Sequence, residues 1–393
     1  MVTPFDLGSA LRSAQASDPA SIPDIVRSVA GGLGATDVVV YLADFAQTTL
    51  EPLPDRSTHA EVPTSQVVAT TMAGRAFVDQ VPASVERAEG VRIWVPIVEG
   101  SDRTGVLAVT VASESEEIIR SCEELGLFVG YLIATQARST DIYNVYRRRR
   151  SLSLGASMQW DLLPPLVLKT ERVAVAGLIE PAYEVGGDCF DYALNSALLN
   201  LGVFDPLGHG VTSALLAALC VGSYRHDRRE SQTLGQIHAH LDAAVAAHFP
   251  DAFTTGQLAQ IDVDNGEMTW TNAGHPPPML IRNGQVIGDM NCSATMPWGL
   301  GSLADRVVAV RTEALEPGDS VLFYTDGVIE ARVAGGEEFG ASRLADLAGR
   351  HASDQLEPEE VVRRLVCSIL EQEDQHLRDD ATLVLVQWHG PRQ

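Results

Sequence analysis

The 393-residue chain is poor in positive charge: 28 lysines and arginines stand against 52 aspartates and glutamates, a formal net charge of −24. Such an excess repels nucleic acid and anionic membrane surfaces, and the one basic cluster, the four arginines at 147–150, reads as a solvated helix face. Cysteine is also scarce. Cys122, Cys189, Cys220, Cys292 and Cys367 form no CxxC pair and are odd in number, which excludes a closed disulfide framework and a zinc knuckle and leaves reduced, mainly buried thiols. The opening residues lack a basic start followed by an apolar core, so no secretory signal is read there. The longest apolar run, residues 125–134, is about half of what a bilayer crossing requires. Internal repeats and low-complexity tracts are missing too. Together these absences imply a cytoplasmic protein with neither nucleic acid nor membrane among its partners.

What is present, 45% hydrophobic and 20% charged residues, describes a globular chain too long for one core, so two or three domains are expected. Up to about residue 140 helix and strand signals alternate: an amphipathic segment at 22–33, the β-branched run at 37–45, and two strands, RIWVPIVEG and TGVLAVTVAS, joined by a polar turn. A helical pattern then runs from about 116 to 146, with Leu125, Phe128, Leu132 and Ile142 as a candidate seam either for a second copy or for packing on the helix's own domain. The segment 151–165 reads as a short amphipathic helix stopped by Pro164 and Pro165. From Val173 onward many strands are interrupted by helical patterns at about 211–224, 234–248 and 358–370, and DNG at 264–266 and RNG at 282–284 signal hairpins. The expected organisation is α+β: a sensor domain at 1–140, a helical linker at 141–165, and a sandwich domain at 166–393.

Four aspartates share one context. Asp188 follows Gly186 and Gly187 after an apolar strand, Asp205 ends the strand LLNLGVF, Asp326 follows SVLFY, and Asp379 opens the last strand. Any one alone reads as a turn residue; four together read as ligands at the lip of a sheet, with glycine letting the backbone turn tightly. Carboxylates so placed suit hard divalent cations such as Mg²⁺ and Mn²⁺, and a pair of ions can activate water for in-line attack on phosphorus. Asp191 and Asp380 are assigned to turn and backbone hydrogen bonding, with a supporting role behind the ligands open to them.

The ordered segments GGDCFDY, DPLGHGVTSALLA, TNAGHPPPMLI, PWGLG, LEPGDSVLFYTDGVIEA, EEFG and DDATLVLV resemble those of metal-dependent (type 2C-like) protein serine/threonine phosphatases, in the bacterial branch that includes SpoIIE and RsbU. The resemblance spans about residues 165–388. It implies a two-layer β-sandwich flanked by helices and two Mn²⁺ or Mg²⁺ ions, with Asp188, Asp205 and the Pro206 carbonyl on one ion and Asp205, Asp326 and Asp379 on the other. It further implies a phosphorylated anti-anti-sigma (STAS) protein as substrate. More weakly, the 1–140 segment, with GRAF at 74–77, VPI at 95–97 and the strand GVLAV, resembles a GAF domain, implying a small-molecule or protein ligand and control of activity; the homodimer is expected from the long helical pattern at about 116–146. With no cysteine before Cys122, a covalent bilin is not expected, and His59 reads as a surface histidine.

His209 and His275 invite assignment as a general acid and a groove residue, but each reads first as structural: His209 anchoring the loop into the following helix, His275 held between strands and prolines. Cys189 lacks the HCxxxxxR context of a cysteine phosphatase. GGDCF differs from a diguanylate cyclase loop in having Cys189 where an acid is needed. The remaining rival is a phosphatase-fold scaffold without turnover.

Overall fold

The computed structural model describes residues 6–15, 17–55, 62–180, 183, 186–293, 295–304, 308–332, 337–354, 356–372 and 379–391. His59 lies outside them. The chain divides into two compact units, Met1–Ser151 and Leu152–Gln393, so the division falls inside the stretch expected as linker, and the helix after it belongs with the second unit.

In the first unit the described elements are α1 (Leu7–Gln15), α2 (Ile22–Gly31), β1 (Asp37–Ala43), β2 (Thr49–Pro52), β3 (Gln66–Val67), α3 (Met72–Asp79), β4 (Ala83–Arg87), β5 (Gly90–Glu99), β6 (Asp102–Val111), α4 (Glu116–Gln136) and α5 (Ile142–Tyr146). The strands form an antiparallel sheet in the order β3-β2-β1-β6-β5-β4. Successive strand residues point to opposite faces. In β1 this sends Val38, Val40 and Leu42 into a core shared with α1, α2 and α4, and Val39, Tyr41 and Ala43 into a second core under α3. The uninterrupted apolar run of β1 is therefore that of a strand covered on both sides.

Two expectations are decided here. The long helical pattern is broken: α4, capped by the Ser115 hydroxyl accepting from the Ile118 amide, ends at Gln136, a 3₁₀ turn follows, and Thr140 is extended before α5. The break lets Tyr143 fold back, its hydroxyl 3.0 Å from both the Pro19 carbonyl and the Gln136 side-chain oxygen. Of the two readings of the candidate seam, the structure takes packing on its own domain. Leu125, Phe128 and Leu132 are buried in the unit's own core and Ile142 packs against it, so these side chains form an intramolecular core.

The second unit contains α6 (Leu154–Leu162), β7 (Val167–Lys169), β8 (Val173–Glu180), β9 (Cys189–Asn195), β10 (Leu198–Pro206), α7 (Val211–Arg229), α8 (Leu234–His248), β11 (Thr254–Asp262), β12 (Glu267–Ala273), β13 (Met279–Arg282), β14 (Gln285–Asp289), β15 (Arg311–Ala314), β16 (Ser320–Tyr324), α9 (Asp326–Glu330), α10 (Gly340–Ser353), α11 (Pro358–Gln372) and β17 (Ala381–Trp388). Two antiparallel sheets result, β15-β12-β11-β10-β9 and β14-β13-β16-β17-β8-β7. Their facing side chains, among them Phe190, Leu201, Trp270, Phe323 and Leu385, make the central core. The helices α7 and α8 close a further core on the first sheet through Phe204, Tyr224 and Trp298, while α10 and α11 pack on the second. This is the helix-flanked two-layer sandwich expected from the sequence.

Asp191 departs from its expected turn role. It lies within β9, is almost fully buried, and binds Arg225 (2.8 Å) and Arg228 of α7. The Arg225 guanidinium also donates to the Leu162 carbonyl at the end of α6 (2.7 Å), and that of Arg228 covers the Tyr224 ring. Removing one partner of a buried pair strands the other charge in a low-dielectric setting. Asp191→Ala is therefore expected to cost about 3–5 kcal/mol in chemical denaturation of the whole chain; a loss below about 1 kcal/mol, the range of an exposed pair, would contradict this account.

Candidate metal centre

Strand register brings the four aspartates to one edge of the sandwich. In the first sheet Phe204 pairs with Cys189, so Asp205 leaves β10 where Asp188 enters β9. In the second, Tyr324 pairs with Leu383, so Asp326 leaves β16 where Asp379 and Asp380 enter β17. The two sheets are joined at this edge: the Asp188 amide donates to Asp380 Oδ2 (3.1 Å), and the hydroxyls of Thr325 (2.6 Å) and Thr382 (2.8 Å) donate to Asp188 Oδ2.

The glycines before Asp188 have a different reason from the one the sequence suggested. Neither has a positive φ; both are needed for space. A Cβ on Gly186 would collide with the Gly155 backbone at the start of α6, and one on Gly187 would collide with the Ser213 hydroxyl of α7. The loop is thus squeezed between two helices. Gln159 of α6 completes the contact, its side-chain amide donating to the Asp188 carbonyl (2.6 Å) and to Asp380 Oδ2 (3.4 Å). Positive φ matters instead in the Asp205 loop, at Gly208 and Gly210.

Electrostatics follow from this crowding. Burial, then the charges of Asp205 and Asp380, hold the Asp188 carboxyl well above the ordinary carboxylate range, against the Thr325 and Thr382 hydrogen bonds. Burial and the Asp326 charge push Asp205 up to about 8. Burial and Asp379 push Asp380 up to about 7, opposed by the amides of Asp188 and Gly187, and Asp326 is raised mainly by burial, with Glu330 and Asp379 adding to it. The groups that lower these values are hydroxyls and amides rather than lysine or arginine. Burial opposes the charged form and like charges oppose each other, so the edge favours whatever cation neutralises it.

The donor set tests the implied ions. It is entirely hard oxygen, which suits Mg²⁺ or Mn²⁺ rather than a thiophilic metal, and the buried Asp380 Oδ1 has no hydrogen-bond partner. As the side chains stand, no three histidine, cysteine, aspartate or glutamate side chains among the described residues are gathered tightly enough to hold one ion. In chemistry the residues fit a divalent cation, and binding one requires the carboxylates to draw together.

The other sequence candidates fall differently. His209 is exposed on its loop and anchors nothing by burial, contrary to the structural reading. The His275 side chain is fully buried and lines no open groove. Burial raises the Cys189 thiol far above its ordinary value, consistent with a filler role. Sequence reasoning missed Thr325, Thr382, Thr255 and Gln159. Thr325 directly precedes the candidate ligand Asp326 in YTDG, which was the one available signal; Thr382 is three residues beyond Asp379 in DDAT and carried none.

Residues 196–389, just under half of the chain, match the family described as "Stage II sporulation protein E (SpoIIE)"; this stretch includes Asp205, Asp326 and Asp379 but not Asp188. The chain is 24% identical over 290 residues to the phosphoserine phosphatase RsbU of Bacillus subtilis, covering 72% of this chain and 83% of that protein. It is 23% identical over 267 residues to protein IcfG of Synechocystis, covering 61% and 41%. Among solved structures, the SiaA-PP2C domain of Pseudomonas aeruginosa is 22% identical with a TM-score of 0.49, covering 59% of this chain and 93% of that one.

Carboxylates whose values are raised in the folded state stabilise it fully below their unfolded value of about 4, and that stability is lost as pH rises through the folded values of about 7 for Asp380 and about 8 for Asp205. Thermal unfolding in a chelator is therefore expected to show stability falling from about pH 4 to pH 8. With Mn²⁺ the fall is expected to shrink, and Mn²⁺ binding is expected to release protons. Identical pH profiles with and without Mn²⁺ would contradict this.

Proposed function

We propose that residues 196–389, which match the SpoIIE family, form a protein serine/threonine phosphatase domain, and that the chain removes phosphate from a phosphoserine or phosphothreonine of a small anti-anti-sigma (STAS) protein under control of its N-terminal unit. The observation that carries this reading is the convergence of carboxylates from four strand ends at one sandwich edge. Asp188 and the Pro206 carbonyl are assigned to one Mn²⁺ or Mg²⁺ ion, and Asp205, Asp326 and Asp379 to the other, with Asp205 shared. Two such ions supply a water nucleophile at neutral pH and charge stabilisation for an in-line displacement.

The chain's own residues prepare that chemistry. Thr325 and Thr382 hold one Asp188 oxygen and thereby orient the other. Asp380 fixes the backbone of the Asp188 loop. Among the described residues no cysteine nucleophile is arranged at the edge, since the Cys189 thiol is buried and stays protonated, and the reading is one-step hydrolysis without a phosphoenzyme. Control is assigned to α6, which follows the N-terminal unit in sequence and touches the Asp188 loop through Gly155 and Gln159. The N-terminal sheet, covered by helices on both faces, is the sensor of a small-molecule or protein ligand. A second reading, a scaffold without turnover, is favoured by one observation, that no three ligating side chains are gathered as they stand.

The whole chain is expected to hydrolyse p-nitrophenyl phosphate with Mn²⁺, and Asp205→Asn to lower kcat at least about 100-fold, since a shared ligand exceeds the 10–100-fold effect of residues behind the ligands. Absence of Mn²⁺-dependent turnover would establish the scaffold reading. On a phosphorylated STAS protein, Gln159→Ala in the whole chain is expected to change turnover in the same direction as removal of residues 1–151; unchanged turnover in both would refute control through α6.

A further inference from the structure

The His275 side chain is fully enclosed near the acidic edge, at 0% exposure, and the phosphatase reading gives it no role. Its backbone is clamped: the His275 amide donates to Asn272 Oδ1 and the Asn272 side-chain amide donates to the His275 carbonyl, both at 2.8 Å. Both ring nitrogens are engaged. Nε2 lies 3.0 Å from the Tyr324 carbonyl, and because a carbonyl only accepts, Nε2 carries the ring proton. The unprotonated Nδ1 lies 2.9 Å from the Thr255 hydroxyl, which in turn lies 3.1 Å from Asp205 Oδ2, so the one hydroxyl hydrogen is shared between the imidazole and the carboxylate.

The two ends of this chain belong to different sheets. Thr255 sits on β11 directly opposite Asp205 of β10, whereas Tyr324 ends β16 two residues before Asp326. The imidazole therefore spans the sandwich at the edge where the carboxylates meet. It touches the backbone that launches the Asp326 loop on one side and the hydroxyl that holds Asp205 on the other. A planar ring of fixed size between two such partners sets their separation more narrowly than flexible side chains would.

We propose that His275 and Thr255 form a positioning strut that fixes the Asp205 carboxylate relative to the Asp326 loop and so sets how tightly a divalent cation is held between them. Both are positioning residues, acting through Asp205 rather than on substrate. The inference rests on the reading of this edge as a cation site, and the experiment separates the two.

In the whole chain, Mn²⁺ affinity is measured by calorimetry and by the electron paramagnetic resonance of free Mn²⁺ for the native sequence, Thr255→Val, Thr255→Ser and His275→Gln. Thermal unfolding in chelator is recorded alongside. Thr255→Val keeps the side-chain shape and is expected to raise the Mn²⁺ Kd about 10–100-fold with little change in metal-free unfolding. Thr255→Ser, which keeps the hydroxyl, is expected to restore it. With p-nitrophenyl phosphate at saturating Mn²⁺, Thr255→Val is expected to regain turnover with unchanged KM. A Thr255→Val protein that binds Mn²⁺ as tightly as the native chain overturns the strut, whatever its unfolding temperature. A native chain that binds no Mn²⁺ overturns the cation site itself and the strut with it. If His275→Gln does not fold, the two Thr255 variants decide alone.

Discussion

Like charges crowded at the rim of a sandwich impose the constraint from which the rest of the second unit follows. Antiparallel register makes β10 end where β9 begins and β16 end where β17 begins, so aspartates far apart in sequence are forced into one neighbourhood. Burial and repulsion from neighbouring carboxylates raise Asp188, Asp205 and Asp380. The surroundings supply hydroxyls and amides, which orient carboxylates without neutralising them. A rim built in this way favours the protons or cations that neutralise it.

The same edge explains why the preceding helix matters. The loop entering β9 carries two glycines because α6 and α7 approach it from opposite sides closely enough to exclude a Cβ. Gln159 then connects α6 to the Asp188 backbone and to Asp380, and Arg225 connects the other end of α6 to Asp191 and α7. A displacement of α6 would be felt by the Asp188 loop at both ends of the helix.

Much of this was legible in the sequence. Long elements with strong periodicity, such as β1, α7, α8 and the strand before Asp326, announce themselves by apolar spacing, and Asn283–Gly284 adopts the two positive φ values that its hairpin turn requires. The four aspartates were legible because each terminates or opens an apolar strand. What was hidden depends on partners distant in sequence. Thr382 looks like an ordinary strand residue until its hydroxyl meets Asp188, and Gln159 looks like a polar face of a short helix until it meets Asp188 and Asp380. The break after Gln136 was masked because α5 continues a helical composition, and only the burial of Tyr143 against the first core fixes where the chain turns. His209 was misread for a related reason: a histidine between glycines at a helix entrance has the same local text whether it is packed or exposed.

The central claim, that repulsion at this rim is resolved by a shared pair of cations, is tested most directly by anomalous diffraction at the manganese edge from crystals grown with Mn²⁺. Two peaks about 3.5–4 Å apart, one on each side of the Asp205 carboxylate, are expected. A peak remote from Asp205, or none at this edge, would contradict the account.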